Sequence, residues 1–280
     1  MAGKALVLGG GGHAGVGWLT GILYGLGEAG VDLGDADVVI GTSAGSSVGA
    51  QLTSGRLTLK QLYERQLVPP TGEMAGRLGA LLILRFVWAA LTSRTPEAYG
   101  RKIGRTALAA KTPSEAARRA AFESRLVSPD WPERALLMPA VDTATGELRV
   151  FGKDSGVPLV DAMAASCAVP GVWAPVTLDG RRWTDGGIHS AANAHLAAGY
   201  ERVVVLAPVA LGGGPLVPAA EQGRRLAAAG ARVAVVTPGR AARRSFGRNP
   251  LDPAARAGAA RAGRDQARTH AAEVAEVWHA

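Results

Sequence analysis

Apolar residues in this chain fall into short continuous runs broken by glycine, alternating with longer stretches of helical spacing. Lys4 to Leu8 (KALVL) and Val38 to Ile40 (VVI) are runs of the length of buried strands. Between them Val16, Leu19, Leu23 and Leu26 recur at three- and four-residue intervals, the stripe of a helix laid on a sheet. Ala135 to Val141 and Leu148 to Phe151 read as strands around a Thr145-Gly146 turn, and Pro158 to Ala168 as a helix. Val176 to Leu178 and Arg181 to Asp185 flank the tight turn Asp179-Gly180. Arg202 to Ala207 and Arg232 to Thr237 are two further strands, separated by an exposed loop at Gly212 to Pro215 and a helix over Pro218 to Ala229. Residues 250–280 close the chain as a helix. The alternation predicts one α/β domain of three layers, α/β/α, around a mainly parallel central sheet.

Leu57 to Arg125 interrupts this alternation and reads as a helical insertion. Within it Leu78 to Leu91 (LGALLILRFVWAAL) is the longest apolar run, but Arg85 interrupts it and it falls short of the roughly 20 residues of a membrane span. The sequence favours a helix packed on the core over an interfacial or lid helix that meets lipid. The insertion is where substrate choice is expected to be set.

The first two strands run into the most informative segments of the chain. The second ends in Gly41-Thr42-Ser43-Ala44-Gly45, a G-x-S-x-G nucleophile elbow in which the serine sits at a strained strand-to-helix turn and the glycines omit side chains that would collide. The first ends in Gly9-Gly10-Gly11-Gly12 at the start of the helix, a set of backbone N–H groups open to a negatively charged oxygen. Gly10-x-Gly12-x-x-Gly15 also satisfies a dinucleotide fingerprint, but that motif expects an acidic residue at the end of the second strand. Here that position is Gly41-Thr42-Ser43, Asp35 and Asp37 lie at the opposite end of the strand, and there is no Walker lysine. In a parallel sheet the loops after adjacent strands lie side by side, so Gly10, Gly11 and Gly12 are candidates to hold the oxyanion formed when Ser43 attacks a carbonyl.

A serine nucleophile needs a base. His13, His189, His195, His270 and His279 lack a triad context, and solvated or capping roles suit them, with His13 nearest the presumed donors. Asp185, at the end of a strand and followed by Gly186-Gly187, is the better candidate.

These motifs in this order resemble the patatin-like phospholipases. The resemblance covers most of the chain and rests on Gly9 to Gly12, the G-T-S-A-G elbow, Ala165-Ser166-Cys167-Ala168-Val169-Pro170-Gly171 and Asp185-Gly186-Gly187. It implies a Ser–Asp dyad, with Ser43 as nucleophile, Asp185 as base, the glycine loop as oxyanion hole, a lipid or other ester as substrate, and no histidine, metal or cofactor. Desolvation in an apolar cleft raises a carboxylate toward a useful basicity, and a direct dyad suits esters, whose leaving alkoxides are easier to expel than amines. The family usually carries Arg or Lys shortly after its glycines, where this chain has Ala14. Two readings follow: a lipid acyl hydrolase of phospholipase A type, and a non-catalytic lipid-binding or regulatory relative with a weakened oxyanion site.

Composition narrows the setting. A chain of 280 residues, 48% hydrophobic, can bury one large core. Met1 to Lys4 leads directly into the first strand, so the sequence predicts a cytoplasmic protein, peripheral at a membrane if it meets one. Cys167 is the single cysteine and reads as a buried structural thiol. The net charge is +8, and Glu221 to Arg268 alone holds 11 Arg against 3 acidic residues. A solvated helical face explains this most simply and attraction to anionic headgroups comes next, while nothing resembling a nucleic-acid-binding fold accompanies the charge.

Overall fold

In the computed structural model, which describes residues 3–69, 73–210 and 212–280, the first apolar run becomes a central strand of the sheet. The first half of the chain forms β1 (Lys4–Leu8), α1 (Gly12–Glu28), β2 (Val38–Gly41), α2 (Ala44–Thr53), α3 (Leu59–Leu67), α4 (Ala80–Leu91), α5 (Pro96–Ala109), α6 (Glu115–Glu123) and β3 (Ala135–Asp142). The second half forms β4 (Leu148–Phe151), α7 (Leu159–Ser166), β5 (Val176–Leu178), β6 (Arg181–Asp185), β7 (Arg202–Leu206), α8 (Ala219–Ala228), β8 (Arg232–Val236), α9 (Arg240–Ser245) and α10 (Ala255–Trp278). Met1 and Ala2 of the expected N-terminal reading, and residues 70–72 of the expected insertion, lie outside the described residues.

The strands are ordered β5-β6-β3-β2-β1-β7-β8, with β4 on β3. β3, β2, β1, β7 and β8 run parallel, while β4, β5 and β6 are antiparallel additions. Alternate residues of the parallel strands serve opposite faces. Leu6, Leu8, Val39, Val204 and Leu206 pack toward α1, α2 and α10, and Ala5, Val7, Val38, Ile40, Val203 and Val205 toward α8 and the turn at Ala194–Ala197. This is the expected three-layer α/β/α fold, and burial on both faces explains why the central strands read as unbroken apolar runs.

Leu8 pairs with Gly41 on one side and Leu206 on the other, so the carboxyl ends of β1, β2 and β7 are level. The glycine loop and the elbow therefore emerge side by side. β3 serves three partners: Val38 to Ile40 of β2 pair in parallel with its first residues, β4 pairs antiparallel with Met138 to Val141, and Trp183 to Asp185 of β6 pair antiparallel with its last residues. One strand thus holds both the strand that leads into Ser43 and the strand that ends in Asp185.

Two features of the helical layers were not evident from the sequence. The first is how closely α1 and α10 approach: a Cβ at Gly17, Gly21 or Gly263 would run into the backbone carbonyl of Arg256, Ala260 or Trp18, respectively. Trp18 is buried in this contact, with its Nε1 donating to Gln266 Oε1 at 3.1 Å. The second corrects the expectation for 78–91. In α4 only Ala89 is buried, while Leu81, Leu84, Trp88 and Leu91 are 65%, 64%, 62% and 78% exposed. Both faces of the sheet are already covered, which leaves no core surface for this helix. Its inner side packs Leu82 and the preceding Leu78 on Val172, Trp173 and Leu251, and Phe86 and Ala90 near Tyr99 and Ile103.

Part of the C-terminal charge is structural as well. Arg256 pairs with Glu73, Arg264 with both carboxylate oxygens of Glu28, and Arg224 and Arg225 with Glu221. Among the described residues no helix is long and apolar enough to cross a membrane.

The α1–α10 contact predicts that Gly21→Leu lowers the unfolding free energy by about 3 kcal/mol or more, because neither backbone can retreat from the new side chain. Gly79→Ala, which meets open space, is expected to stay within about 0.5 kcal/mol of the parent. Urea unfolding followed by tryptophan fluorescence measures both.

Candidate active site

Ser43 has φ 52° and ψ −114°, a conformation non-glycine residues rarely adopt, between the end of β2 and the start of α2. The flanking glycines make this turn possible. A Cβ on Gly41 would lie 2.5 Å from the carbonyl oxygen of Gly45, and one on Gly45 would overlap that of Leu8 in β1. The elbow is fastened by hydrogen bonds from three directions. Thr42 N–H donates to Leu8 O at 2.9 Å, Ser43 N–H to Ser166 Oγ at 3.2 Å, and the carbonyl of Ser43 accepts from Ser46 Oγ at 2.6 Å and Cys167 Sγ at 3.1 Å.

Asp185 ends β6 and is 5% exposed. Its carboxylate accepts the Gly187 N–H at 2.7 Å, and the Ser43 hydroxyl near it favours its charged form. Burial pushes its pKa up from 3.8 to about 6, against the opposing pull of Ser43 and the Gly187 N–H. Asp185 N–H donates to Ala168 O at 3.0 Å, and Thr184 Oγ1 donates to the same oxygen at 2.7 Å. The end of α7 therefore holds both halves of the pair, Ser43 through Ser166 and Cys167, and Asp185 through Ala168. Cys167 is buried as expected, and burial raises its thiol to about 12, so the proton it donates to Ser43 stays in place.

Asn193 adds a second tie that the sequence did not reveal. In a left-handed conformation, its Nδ2 donates to Thr42 Oγ1 at 3.1 Å and to Gly186 O at 3.1 Å, joining the residue before Ser43 to the residue after Asp185. Tolerance of positive φ is the only local hint an asparagine gives of such a role, and it is shared by most loop asparagines.

The glycine loop lies against the nucleophile, since a Cβ on Gly10 would come within 3.3 Å of the Ser43 Cβ. Its three candidate donors are not equivalent. The N–H of Gly10 is already committed to Ala191 O at 2.8 Å, which corrects its expected place among the free donors. Among the described residues no acceptor faces the N–H groups of Gly11 and Gly12, which sit at the start of α1, where the helix dipole adds to their attraction for an anion. A side chain at Gly12, which has φ 62°, would strike Leu251 Cδ2 at 2.6 Å.

No histidine is hydrogen-bonded to Ser43 or Asp185 among the described residues. His13 is buried beside the pocket rather than solvated, with Nδ1 3.4 Å from Glu73 Oε2. Burial, reinforced by Arg125, Arg118 and Arg256, lowers its pKa to about 4, so it is neutral at pH 7 and does not replace the charge missing at Ala14. His189 and His195 lie with ring centres 5.1 Å apart and planes tilted by 45°, against a separate apolar cavity of ≈ 340 Å³, and His270 and His279 belong to the end of the chain around α10. Positive charge near Ser43 comes instead from the insertion: Arg118 and Arg125 line the same narrow cleft as Ser43, Gly12, Phe122 and Trp173. Among the described residues no group of three or more His, Cys, Asp or Glu side chains could hold a metal ion.

A strained serine on a strand-to-helix turn, a buried carboxylate near it and free amides beside it are the groups a serine hydrolase without a catalytic histidine would need. The family model for patatin-like phospholipase matches residues 6–198, a span that includes all of these groups, and the chain belongs to that family. No curated protein matches the chain significantly. Among solved structures it is similar to VipD from Legionella pneumophila, at 16% identity and a TM-score of 0.38 over 66% of this chain and 46% of that one. It is also similar to the type III effector protein ExoU, at 17% identity and a TM-score of 0.39 over 95% of this chain and 53% of that one. The chain thus spans about half the length of these proteins.

The raised pKa of Asp185 has a consequence for stability. Near pH 3 the carboxyl is protonated in both folded and unfolded chains. Between its ordinary value of 3.8 and about 6 the unfolded chain releases the proton first, so folding is increasingly penalised, and above that the full penalty remains. Asp185→Asn is therefore expected to raise stability at pH 8 by on the order of 2 kcal/mol, with little gain near pH 4. Denaturant unfolding of both proteins at the two pH values measures this.

Proposed function

We propose that the protein is a lipid acyl hydrolase of phospholipase A type that cleaves carboxylic esters through an acyl-enzyme on Ser43. The observation that carries this reading is a serine held at a strained elbow beside the buried Asp185 carboxylate, whose charged form the Ser43 side chain favours. At neutral pH Asp185 is ionised and accepts the Ser43 proton as Oγ attacks the ester carbonyl carbon. The negative charge that develops on the carbonyl oxygen is taken by the N–H groups of Gly11 and Gly12, aided by the N-terminal dipole of α1. As the tetrahedral intermediate collapses, the bond to the leaving alkoxide breaks and the alkoxide takes the proton from Asp185. Water then gives its proton to Asp185 and attacks the acyl carbon, Ser43 recovers the proton, and the carboxylic acid leaves. A carboxylate with pKa about 6 is mostly ionised at pH 7 yet far more basic than one in water, which is the compromise a general base needs.

The exposed side of α4 supports peripheral contact of the enzyme with the substrate's own surface. Leu81, Leu84, Trp88 and Leu91 present an apolar face next to Arg85 and Lys102, with Lys102 Nζ 5.1 Å from the Trp88 ring centre. Apolar side chains flanked by cations suit the boundary between acyl chains and anionic headgroups. The inner side of the same helix rests on Val172 and Trp173, and Trp173 lines the cleft that holds Ser43, so the helix lies where lipid would enter.

Four outcomes test this reading. Ser43→Ala is expected to lower kcat/KM for p-nitrophenyl butyrate at least about 1,000-fold, and Asp185→Asn at least about 100-fold. In the parent kcat/KM should fall with decreasing pH through an apparent pKa near 6, as Asp185 takes up its proton. Replacing Leu84, Trp88 and Leu91 together by serine in a Ser43→Ala background should weaken binding to phosphatidylglycerol vesicles at least about tenfold in co-sedimentation, through loss of buried apolar area. Full activity in Ser43→Ala would refute the nucleophile assignment, and unchanged vesicle binding would refute the role of α4.

A further inference from the structure

Arg118 is a buried charge with no counterion of its own. It extends from α6 into the cleft that also holds Ser43 and is 8% exposed. Its Nε and Nη1 are buried without a hydrogen-bond partner, and it forms no salt bridge among the described residues. The guanidinium is instead clamped between two rings, with its central carbon 4.0 Å from the centre of Trp173 and 4.4 Å from that of Phe122. Such stacking orients the planar group and leaves its edge, where the N–H donors lie, available.

The neighbouring charges deepen the deficit. Arg125, on the same cleft, reaches Glu73 only at 3.7 Å and leaves Nη2 without a hydrogen bond, while Arg256 binds Glu73 closely. Glu73 is thus the one carboxylate shared by Arg125 and Arg256, and it also faces His13, which is neutral. A buried cation left unpaired is costly, and a structure that keeps one inside a ligand cleft gains from it when an anion arrives.

Resting on the hydrolase reading above, we propose that Arg118 binds the phosphodiester of a glycerophospholipid substrate and thereby sets a preference for phospholipids over uncharged acylglycerols. In a glycerophospholipid the phosphodiester is carried by the carbon next to the one bearing the central ester. An ester at Ser43 therefore carries its phosphate only a few bonds away, toward the wall of the cleft that Arg118 lines. The two unesterified phosphate oxygens match the fork of a guanidinium, and Arg118 is held in the plane such a fork requires.

The test compares dihexanoyl phosphatidylglycerol with dihexanoylglycerol as substrates. Arg118→Met, which keeps an unbranched stem between Phe122 and Trp173, is expected to lower the ratio of kcat/KM for the phospholipid to that for the uncharged lipid by about 10- to 100-fold, the worth of a charge-assisted hydrogen bond. Arg118→Lys should restore part of the ratio. Melting curves of both variants establish that they are folded, and if Arg118→Met does not fold, Arg118→Lys carries the comparison. In a Ser43→Ala background, calorimetric titration with the phospholipid should show binding that weakens in Arg118→Met, while the uncharged lipid shows no such change. Equal loss of turnover on both substrates would overturn the proposal and make Arg118 a general support of the reaction. Arg118-dependent binding of inorganic phosphate with an unchanged substrate ratio would also overturn it, by identifying free phosphate as the ligand. Absence of turnover on any ester by the parent would instead defeat the hydrolase reading, leaving the titration to decide whether Arg118 binds lipid phosphate.

Discussion

Everything at the site depends on holding two residues 142 positions apart next to each other while one of them is backbone-strained and the other is a buried carboxylate. Neither state is stable by itself. The strain at Ser43 is offset by bonds to Leu8, Ser166, Ser46 and Cys167, and the position of Asp185 is fixed by pairing with β3 and by the carbonyl of Ala168. The short segment from Ser166 to Ala168 touches both residues, and Asn193 bridges their neighbours. The active geometry is thus a property of the sheet and of one helix end, with no flexible loop asked to supply it.

The electrostatics follow from the same burial. Desolvation raises Asp185 to about 6, lowers His13 until it is neutral, and keeps the Cys167 thiol protonated. Arg118 keeps its charge all the same, because a guanidinium remains protonated even when burial lowers its pKa to about 10. The cation missing from the glycine loop at Ala14 is therefore not missing from the cleft. It enters from the insertion, on a different element and from a different direction.

The layers, the parallel strands, the elbow and the candidate pair could all be read from the sequence because each rests on local patterning. An apolar run ending in glycine and serine marks Ser43, and a hairpin ending in Asp-Gly-Gly marks Asp185. What escaped were effects of three-dimensional placement. The neutral state of His13 depends on its burial and on three distant arginines, the occupied N–H of Gly10 depends on a carbonyl at position 191, and the tie through Asn193 joins segments about 150 residues apart. The helix over 80–91 was misjudged for a related reason. Its apolar composition suggests the core, but how much core surface remains to be covered is a property of the other helices, and in this fold none remains.

The central claim is that Ser43 is an activated nucleophile and Asp185 its base. The most direct test is labelling with a fluorophosphonate at pH 8, followed by intact mass and peptide mapping of the parent, Ser43→Ala and Asp185→Asn proteins. The account predicts a single adduct on Ser43 in the parent, no adduct in Ser43→Ala, and labelling slowed by at least about 100-fold in Asp185→Asn. A folded parent protein that acquires no adduct on Ser43 would contradict it.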